Sequence, residues 1–355
     1  MLSFNQSDIN RLFSELETAE KIVITTHFKP DGDAMGSSLA MYGFIRQFFC
    51  SDVKLVLNDR YPQSIAFMVS PEAEKDILTY DDNQEEALMA IMEADHIVAL
   101  DFNAFHRTDS LENSLETSKA AKILIDHHLN PDTESFDLVF SKTEISSASE
   151  LLYHVLMATP VLNGTAASLD IKASTALMTG MTTDTNNFAN STYPSTLGMA
   201  SSLLEAGVDR DAIISNLYNC HGENRLRLLG HMLKDLMTIT EDGVAYIILD
   251  SATQKRYGIS DGDTEGFVNM PLSIATIRMS LLLKEDGERI RVSIRSKKGT
   301  SANICSRLHF NGGGHENAAG GRLIIGKDVD SMADLAKYVE QHTHSFFEDE
   351  HEKNN

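Results

Sequence analysis

Two histidines and four aspartates, spread over four segments, have the residue types and settings to hold metal ions. "THFKPDGDAMGSS" at 26–38 carries His27, Asp31 and Asp33 between the apolar run "KIVI" and the helical "LAMYGFIRQFF", so these residues fall where a strand hands over to a helix. "HIVALDFN" ends its apolar run at Asp101, and "AKILIDHH" ends its own at Asp126, His127 and His128. "TGMTTDTNNF" sets Asp184 among Gly and Thr, in a turn after a helical run over 172–179. Taken singly, an Asp after an apolar strand is most often a cap or turn residue. Taken together, carboxylates held close repel unless a proton or a cation compensates. The mixed N/O set of His27, His127, Asp31, Asp33, Asp101 and Asp184 suits a pair of divalent first-row ions such as Mn²⁺. No thiol lies among them, which argues against a structural zinc site.

The elements that must position these groups alternate along the chain. "KIVITT", "VKLVL", "HIVALD", "AKILIDHH" and "DLVF" read as strands, with helices over 34–49, 84–94 and 147–157. That alternation predicts an α/β fold with a parallel sheet covered by helices, whose ligands collect at the carboxyl ends of the strands. A helical tract occupies 168–236, and "GVAYIILD" through "GRLIIG" has a strand-rich pattern of its own. A chain of 355 residues exceeds the ~250–300 at which single cores stop growing. The expected organisation is a first domain over 1–200, a helical connector over 201–235, a smaller α/β domain over 236–345 and a flexible acidic tail over 346–355. His154, Met157 and Met178 lie on apolar helical faces and read as core, whereas His96, His106, His342, His344 and His351 have no ligand setting.

Charge excludes some functions. With 30 basic and 52 acidic residues the formal charge is −22, a field that repels duplex DNA and argues against a general nucleic-acid coat. No run approaches the ~18 apolar residues of a membrane span, and no secretion signal is visible, so no membrane partner is expected. Cys50, Cys220 and Cys305 are odd in number and far apart, which favours a reducing cytoplasm over a disulfide framework.

One basic segment stands against that acidic background. "RIRVSIRSKK" at 289–298 holds five basic residues and no acid. Ile290, Val292 and Ile294 alternate with Arg289, Arg291, Ser293 and Arg295, so a strand would bury the first set and present guanidinium groups on its other face. Further on, "NGGGHENAAGG" supplies Gly312, Gly313 and Gly314, whose missing Cβ lets backbone N–H groups approach an anion, with His315 beside them.

The four ordered segments "THFKPDGDAMGSS", "ALDFN", "LIDHH" and "TGMTTDTNNF" resemble the motifs of the DHH phosphoesterase superfamily, and "FNGGGHENAAGG" resembles the hallmark of its DHH-associated C-terminal domain. The resemblance spans nearly the whole chain and is greatest to the nanoRNases that are also 3′-phosphoadenosine-5′-phosphate phosphatases. It implies that His27 and Asp31 hold one metal, that Asp33, His127 and Asp184 hold the other, and that Asp101 bridges them. It makes Asp126 the acceptor that orients its neighbours and His128 the group facing the substrate phosphate. Arg295 and His315 fall on the family's substrate-binding positions. Asn311 and Asn186 stand where the family often has glycine.

A metal pair of this kind suits the hydrolysis of phosphate esters. Two cations about 3.5–4 Å apart can share a water, lower its pKa and stabilise both the attacking and leaving oxygens of an in-line displacement. The resemblance implies a cleft between the two domains that admits short oligoribonucleotides, linear diadenylate or 3′-phosphoadenosine-5′-phosphate. A pyrophosphatase or polyphosphatase of the same superfamily is the alternative within the class, and a nucleotide sensor without catalysis is the alternative outside it. A homodimer stays open as the assembly.

Overall fold

Near-continuous buried runs at Ile22–Ile24, Ile97–Leu100 and Ile123–Ile125 suit strands covered on both faces, and the fold uses them so. A computed structural model describes residues 4–259, 262–314 and 316–353. The chain divides into the units Met1–Cys220 and His221–Asn355. In the first, β1 (Lys21–Thr25), β2 (Asp52–Leu57), β3 (Ile77–Thr79), β4 (His96–Leu100), β5 (Ala121–Asp126) and β6 (Leu138–Ser141) form one parallel sheet. Its order is β3-β2-β1-β4-β5-β6. Sequence neighbours run outward from β1 in one direction and from β4 in the other, so the order reverses between these two central strands. Such a switch point opens a crevice at the carboxyl ends, and His27 and Asp101 follow the two strands that flank it.

Alternate side chains of each strand feed two layers. Ile22, Ile24, Val98, Leu100, Ile123 and Ile125 share a core with helices Gly32–Phe48, Ala148–Met157 and Ile171–Asp184. Val23, Val56, Ile97 and Leu124 pack on the other face, against Ala87 and Ile91 of helix Tyr80–Glu93. His154, Met157 and Met178 are buried, as core residues should be. The three-residue β3 and the helix Gln6–Thr18 were not among the expected elements.

The second unit has its own mixed sheet. Its strands are β7 (Met237–Ile239), β8 (Val244–Leu249), β9 (Met279–Asp286), β10 (Arg289–Ser296), β11 (Gly313–Gly314) and β12 (Ala318–Ile324), in the order β11-β12-β10-β9-β8-β7. Only the β8–β9 pair is parallel. One face packs Tyr246, Leu281, Ile290, Val292 and Ile294 against Leu335, Val339, Phe346 and Phe347. The other carries Ile247, Leu249 and Leu282 against Leu228 and Phe267. Helices Pro194–Glu205 and Arg210–Tyr218 belong to the first unit and Glu223–His231 to the second. The expected tail over 346–355 is corrected in part: helix Leu335–Lys353 runs into it, and Phe346 and Phe347 are 2% and 1% exposed, because two adjacent rings remove more apolar surface than their acidic successors suggest. Among the described residues no helix is long and apolar enough to cross a membrane.

Candidate metal centre

Asp31 ends the loop after β1 and caps the next helix. Its Oδ1 accepts the N–H groups of Asp33 and Ala34, each at 3.0 Å, so the modest reading of an Asp after a strand as a helix cap holds for it. The same carboxylate lies 3.9 Å from Nε2 of the buried His27. The His27 Nε2 also lies 3.6 Å from Asp101 Oδ2. Burial by itself would lower the His27 imidazole, but the Asp101 carboxylate outweighs it and raises the ring to about 9.

Asp101 stands at the centre. It is 3% exposed and adopts φ 63°, a left-handed conformation that Asp tolerates better than most residues, while its N–H still bonds to Ile125 in β5. His127 Nε2 lies 3.4 Å from Asp101 Oδ1 and 3.7 Å from Asp184 Oδ2. Burial pushes the Asp101 carboxyl up, yet His127 and His27 overcome it and hold Asp101 well below the carboxylate range. Asp126, fully buried at the end of β5, accepts from the His128 backbone N–H at 3.1 Å with Oδ2 and contacts His128 Nδ1 at 2.7 Å with Oδ1. That pair of bonds fixes the orientation of the His128 ring.

Asp184 and Asp33 complete the cluster by routes that local sequence does not show. Asp184 is the last residue of helix Ile171–Asp184 rather than a turn residue beyond a helix ending at 179. The helix runs on through Thr179 and Thr182, whose hydroxyls bond back to carbonyls one turn earlier, and it stops where Asn186, Asn187 and Phe188 take positive φ. Asn at 186, with φ 46°, supplies the left-handed residue for which glycine is the usual choice. Asp33 is buried and accepts from Ala148 N–H at 2.6 Å and Ser149 N–H at 2.9 Å, the first amides of helix Ala148–Met157. An N-terminal helix turn favours an anion there. Gly180 allows the close approach, since a Cβ on it would collide with Ser149 Oγ and lie 2.9 Å from Asp33 Oδ1. Ser149 and Gly180 were absent from the expected site; the paired small residues facing a carboxylate become visible only in three dimensions.

The donor atoms fall into three overlapping groups: His27, Asp31 and Asp101; Asp101, His127 and His128; Asp33, His127 and Asp184, each with its atoms within 4.8 Å of one another. Two ligand atoms about 2.1 Å from one ion and subtending about 90–110° are about 3.0–3.4 Å apart, close to the observed imidazole–carboxylate spacings. Those spacings exceed an ordinary hydrogen bond. Asp101 Oδ1 is also buried with no hydrogen-bond partner. Burial, with Asp101 and Asp184 nearby, pushes Asp33 well above the usual carboxylate range; burial and then the Asp101 and Asp31 charges push Asp184 up. Carboxylates in this arrangement call for added positive charge, and the residues fit divalent cations.

In the second unit, β10 buries Ile290, Val292 and Ile294 as the alternation requires. Its other face carries Arg291, Ser293 and Arg295, with Arg322 opposite Arg291 on β12. Ser293, Gly320 and Gly313 form one row across β10, β12 and β11, so the floor beside Arg295 carries almost no side chains. The three glycines differ. Gly312 donates its N–H to Ser306, and a Cβ there would lie 2.5 Å from Gly321 Cα; Gly314 has φ 142° and would place a Cβ 2.5 Å from Ala318 O. Gly313 faces open space. Gly312→Ala is therefore expected to lower the melting temperature, whereas Gly313→Ala leaves it unchanged and raises KM if an anion rests on this floor. A Gly313→Ala enzyme with wild-type KM would remove that glycine from the binding surface. Asn311, with φ 50°, takes a left-handed conformation for which glycine is the usual choice. His315 lies outside the described residues.

A parallel α/β sheet with imidazoles and carboxylates converging at its switch point has the donor set of an N/O-ligand metal centre. The chain belongs to the DHH family: the DHH family N-terminal domain matches residues 21–182 and the DHHA1 domain matches residues 229–343. It is 26% identical over 335 residues to the bifunctional oligoribonuclease and PAP phosphatase NrnA of Bacillus subtilis, covering 93% of this chain and 98% of that one. The protein of the same name from Thermus thermophilus is 28% identical, covering 90% of each chain. A crystal structure described as an exopolyphosphatase-related protein from Bacteroides fragilis matches with TM-score 0.89 and 37% identity over 98% of both chains.

Proposed function

We propose that the protein is a divalent-metal-dependent phosphoesterase that hydrolyses short oligoribonucleotides and dinucleotides, such as linear diadenylate, to mononucleotides. It takes 3′-phosphoadenosine-5′-phosphate as a second substrate, works with two Mn²⁺ and acts in the cytoplasm. The observation that carries this reading is the convergence of His27, Asp31, Asp33, Asp101, His127 and Asp184 at one edge of the parallel sheet. The names of the NrnA relatives give the substrate class.

His27, Asp31 and Asp101 would hold one cation, and Asp33, His127, Asp184 and Asp101 the other. Bound there, divalent cations polarise a phosphoryl group and lower the pKa of water. The chain supplies the rest. Asp101 would set the spacing between the two ligand groups, since its Oδ2 faces His27 and its Oδ1 faces His127. Ala148 and Ser149 keep Asp33 aimed through its two oxygens. With Nδ1 of His128 engaged by Asp126, a phosphoryl oxygen would meet Nε2, where charge develops during displacement. Within the second unit, Arg295 and the glycine floor beside it would hold a phosphate, a guanidinium being suited to bidentate anion contact.

The test is a time course with Mn²⁺ on linear diadenylate, 3′-phosphoadenosine-5′-phosphate, pyrophosphate and polyphosphate, the last included because of the name of the B. fragilis relative. Rapid conversion of diadenylate to mononucleotides, abolished by chelator, is the expected result. Turnover of pyrophosphate or polyphosphate alone would overturn the substrate class. Binding of diadenylate without cleavage would make the protein a sensor.

A further inference from the structure

Glu150 is a charged side chain with no solvent exposure and no place among the expected ligands. It sits in the first turn of helix Ala148–Met157, behind the two amides that grip Asp33. Its neighbours are specific. Glu150 Oε2 accepts from Ser146 N–H at 3.1 Å, from the Ser146 hydroxyl, and from the Thr196 hydroxyl at 2.6 Å. Ser147 Oγ, the helix cap, accepts the Glu150 N–H at 2.9 Å, and Thr196 Oγ1 accepts the Tyr193 N–H at 3.0 Å. His154 Nε2 lies 3.5 Å from Glu150 Oε1.

The pattern Ser147-x-x-Glu150 is that of a capping box, in which the glutamate ordinarily returns to the cap residue's own N–H. Here it reaches one residue further back and also binds a second helix. Burial pushes the carboxyl up, but His154, Ser146 and the nearby hydroxyls outweigh it and hold the group at about 2. Oε2 has three donors, whereas Oε1 is buried without a hydrogen bond and faces only the His154 ring; a carboxylate so placed is unfavourable in a protein interior, and one helix cap does not require it.

We propose that Glu150 is a positioning residue for Asp33. By clamping the Ser146–Ser147 turn against Thr196, it fixes the direction in which Ala148 and Ser149 present their N–H groups to the Asp33 carboxylate. Asp33 then keeps one orientation toward His127 and Asp184. The inference rests on the divalent-metal reading above and extends it to a residue outside the ligand set. Groups that orient metal ligands typically change metal affinity ~10–100-fold when removed.

The experiment is calorimetric titration of the purified full chain with Mn²⁺, for wild type, Glu150→Gln and Thr196→Val, beside thermal melting and diadenylate turnover. Glu150→Gln is expected to weaken one of two Mn²⁺ equivalents at least tenfold and leave the other within twofold, with kcat falling while KM holds. Thr196→Val, which keeps the charge and removes one of its donors, should weaken the same equivalent about threefold. Equal weakening of both equivalents in step with melting temperature would mean a purely structural role and overturn the proposal, as would unchanged affinities in both variants. If Glu150→Gln fails to fold, Thr196→Val decides by the same criteria. A wild-type chain that binds two Mn²⁺ and cleaves none of the substrates would overturn the functional reading while the binding data still judge Glu150. Fewer than two wild-type equivalents would overturn both.

Discussion

Asp101→Asn is expected to reduce diadenylate turnover by about 10³-fold or more while the protein remains folded. Asp101 belongs to two of the three ligand groups and lies between the His27 and His127 rings. Asparagine keeps the volume and tolerates the left-handed backbone at φ 63°. It removes the negative charge that both imidazoles face. Several kcal/mol of charge stabilisation depend on metal binding in enzymes of this kind, and each 1.36 kcal/mol is tenfold in rate. The decisive measurements are kcat at saturating Mn²⁺, the Mn²⁺ isotherm and the melting temperature. Near-wild-type turnover in a folded variant would remove Asp101 from the centre. Asp101→Ala is the poorer probe, because alanine in a left-handed conformation adds a backbone cost of about 1–2 kcal/mol to the loss of the carboxylate.

The residues that act through strand ends were legible because strand ends are written locally. An apolar run followed by Asp101, or by Asp126, His127 and His128, states both the element and its polar terminus within eight residues. The order of the strands adds what no single segment contains, namely that β1 and β4 are neighbours across the reversal. Helix ends were less legible. The run to Asp184 continues through threonines that periodicity alone does not count as helical, and their hydroxyls are satisfied inside the helix. Asn186 and Asn311 look like departures from a glycine pattern in one dimension; their positive φ shows that the backbone requirement is met by another residue able to meet it. Glu150 was hidden for the opposite reason. Its capping-box spacing is local, but its value to Asp33 arises from its contact with Thr196, 46 positions away, and from the Ala148 and Ser149 amides, which reach an Asp33 that lies 115 and 116 positions back in the chain. The tail was misread at Phe346 and Phe347 because acidic neighbours dominated its composition.

Gly180→Ala is the second substitution with a large expected effect, and it tests how the helices aim the ligands. Helices Gly32–Phe48 and Ile171–Asp184 approach closely at Gly36 and Gly180; a Cβ on Gly36 would lie 2.7 Å from Ala176 O. At Gly180 the added methyl meets Ser149 Oγ and Asp33 Oδ1, so strain enters where Asp33 is held. Overpacking of this kind costs about 1–3 kcal/mol, and a displacement of about 1 Å at a reacting centre can cost 10²-fold in rate. We expect kcat to fall about 10²-fold with a measurable drop in melting temperature. Ser149→Ala should have little effect alone, since the backbone N–H that binds Asp33 survives, and should recover part of the loss when combined with Gly180→Ala. Recovery would identify the Ser149 hydroxyl as the obstructing atom. A Gly180→Ala protein with wild-type kcat and melting temperature would mean that the two helices separate without turning Asp33, and that the position of this carboxylate is set by the Ala148 and Ser149 amides alone.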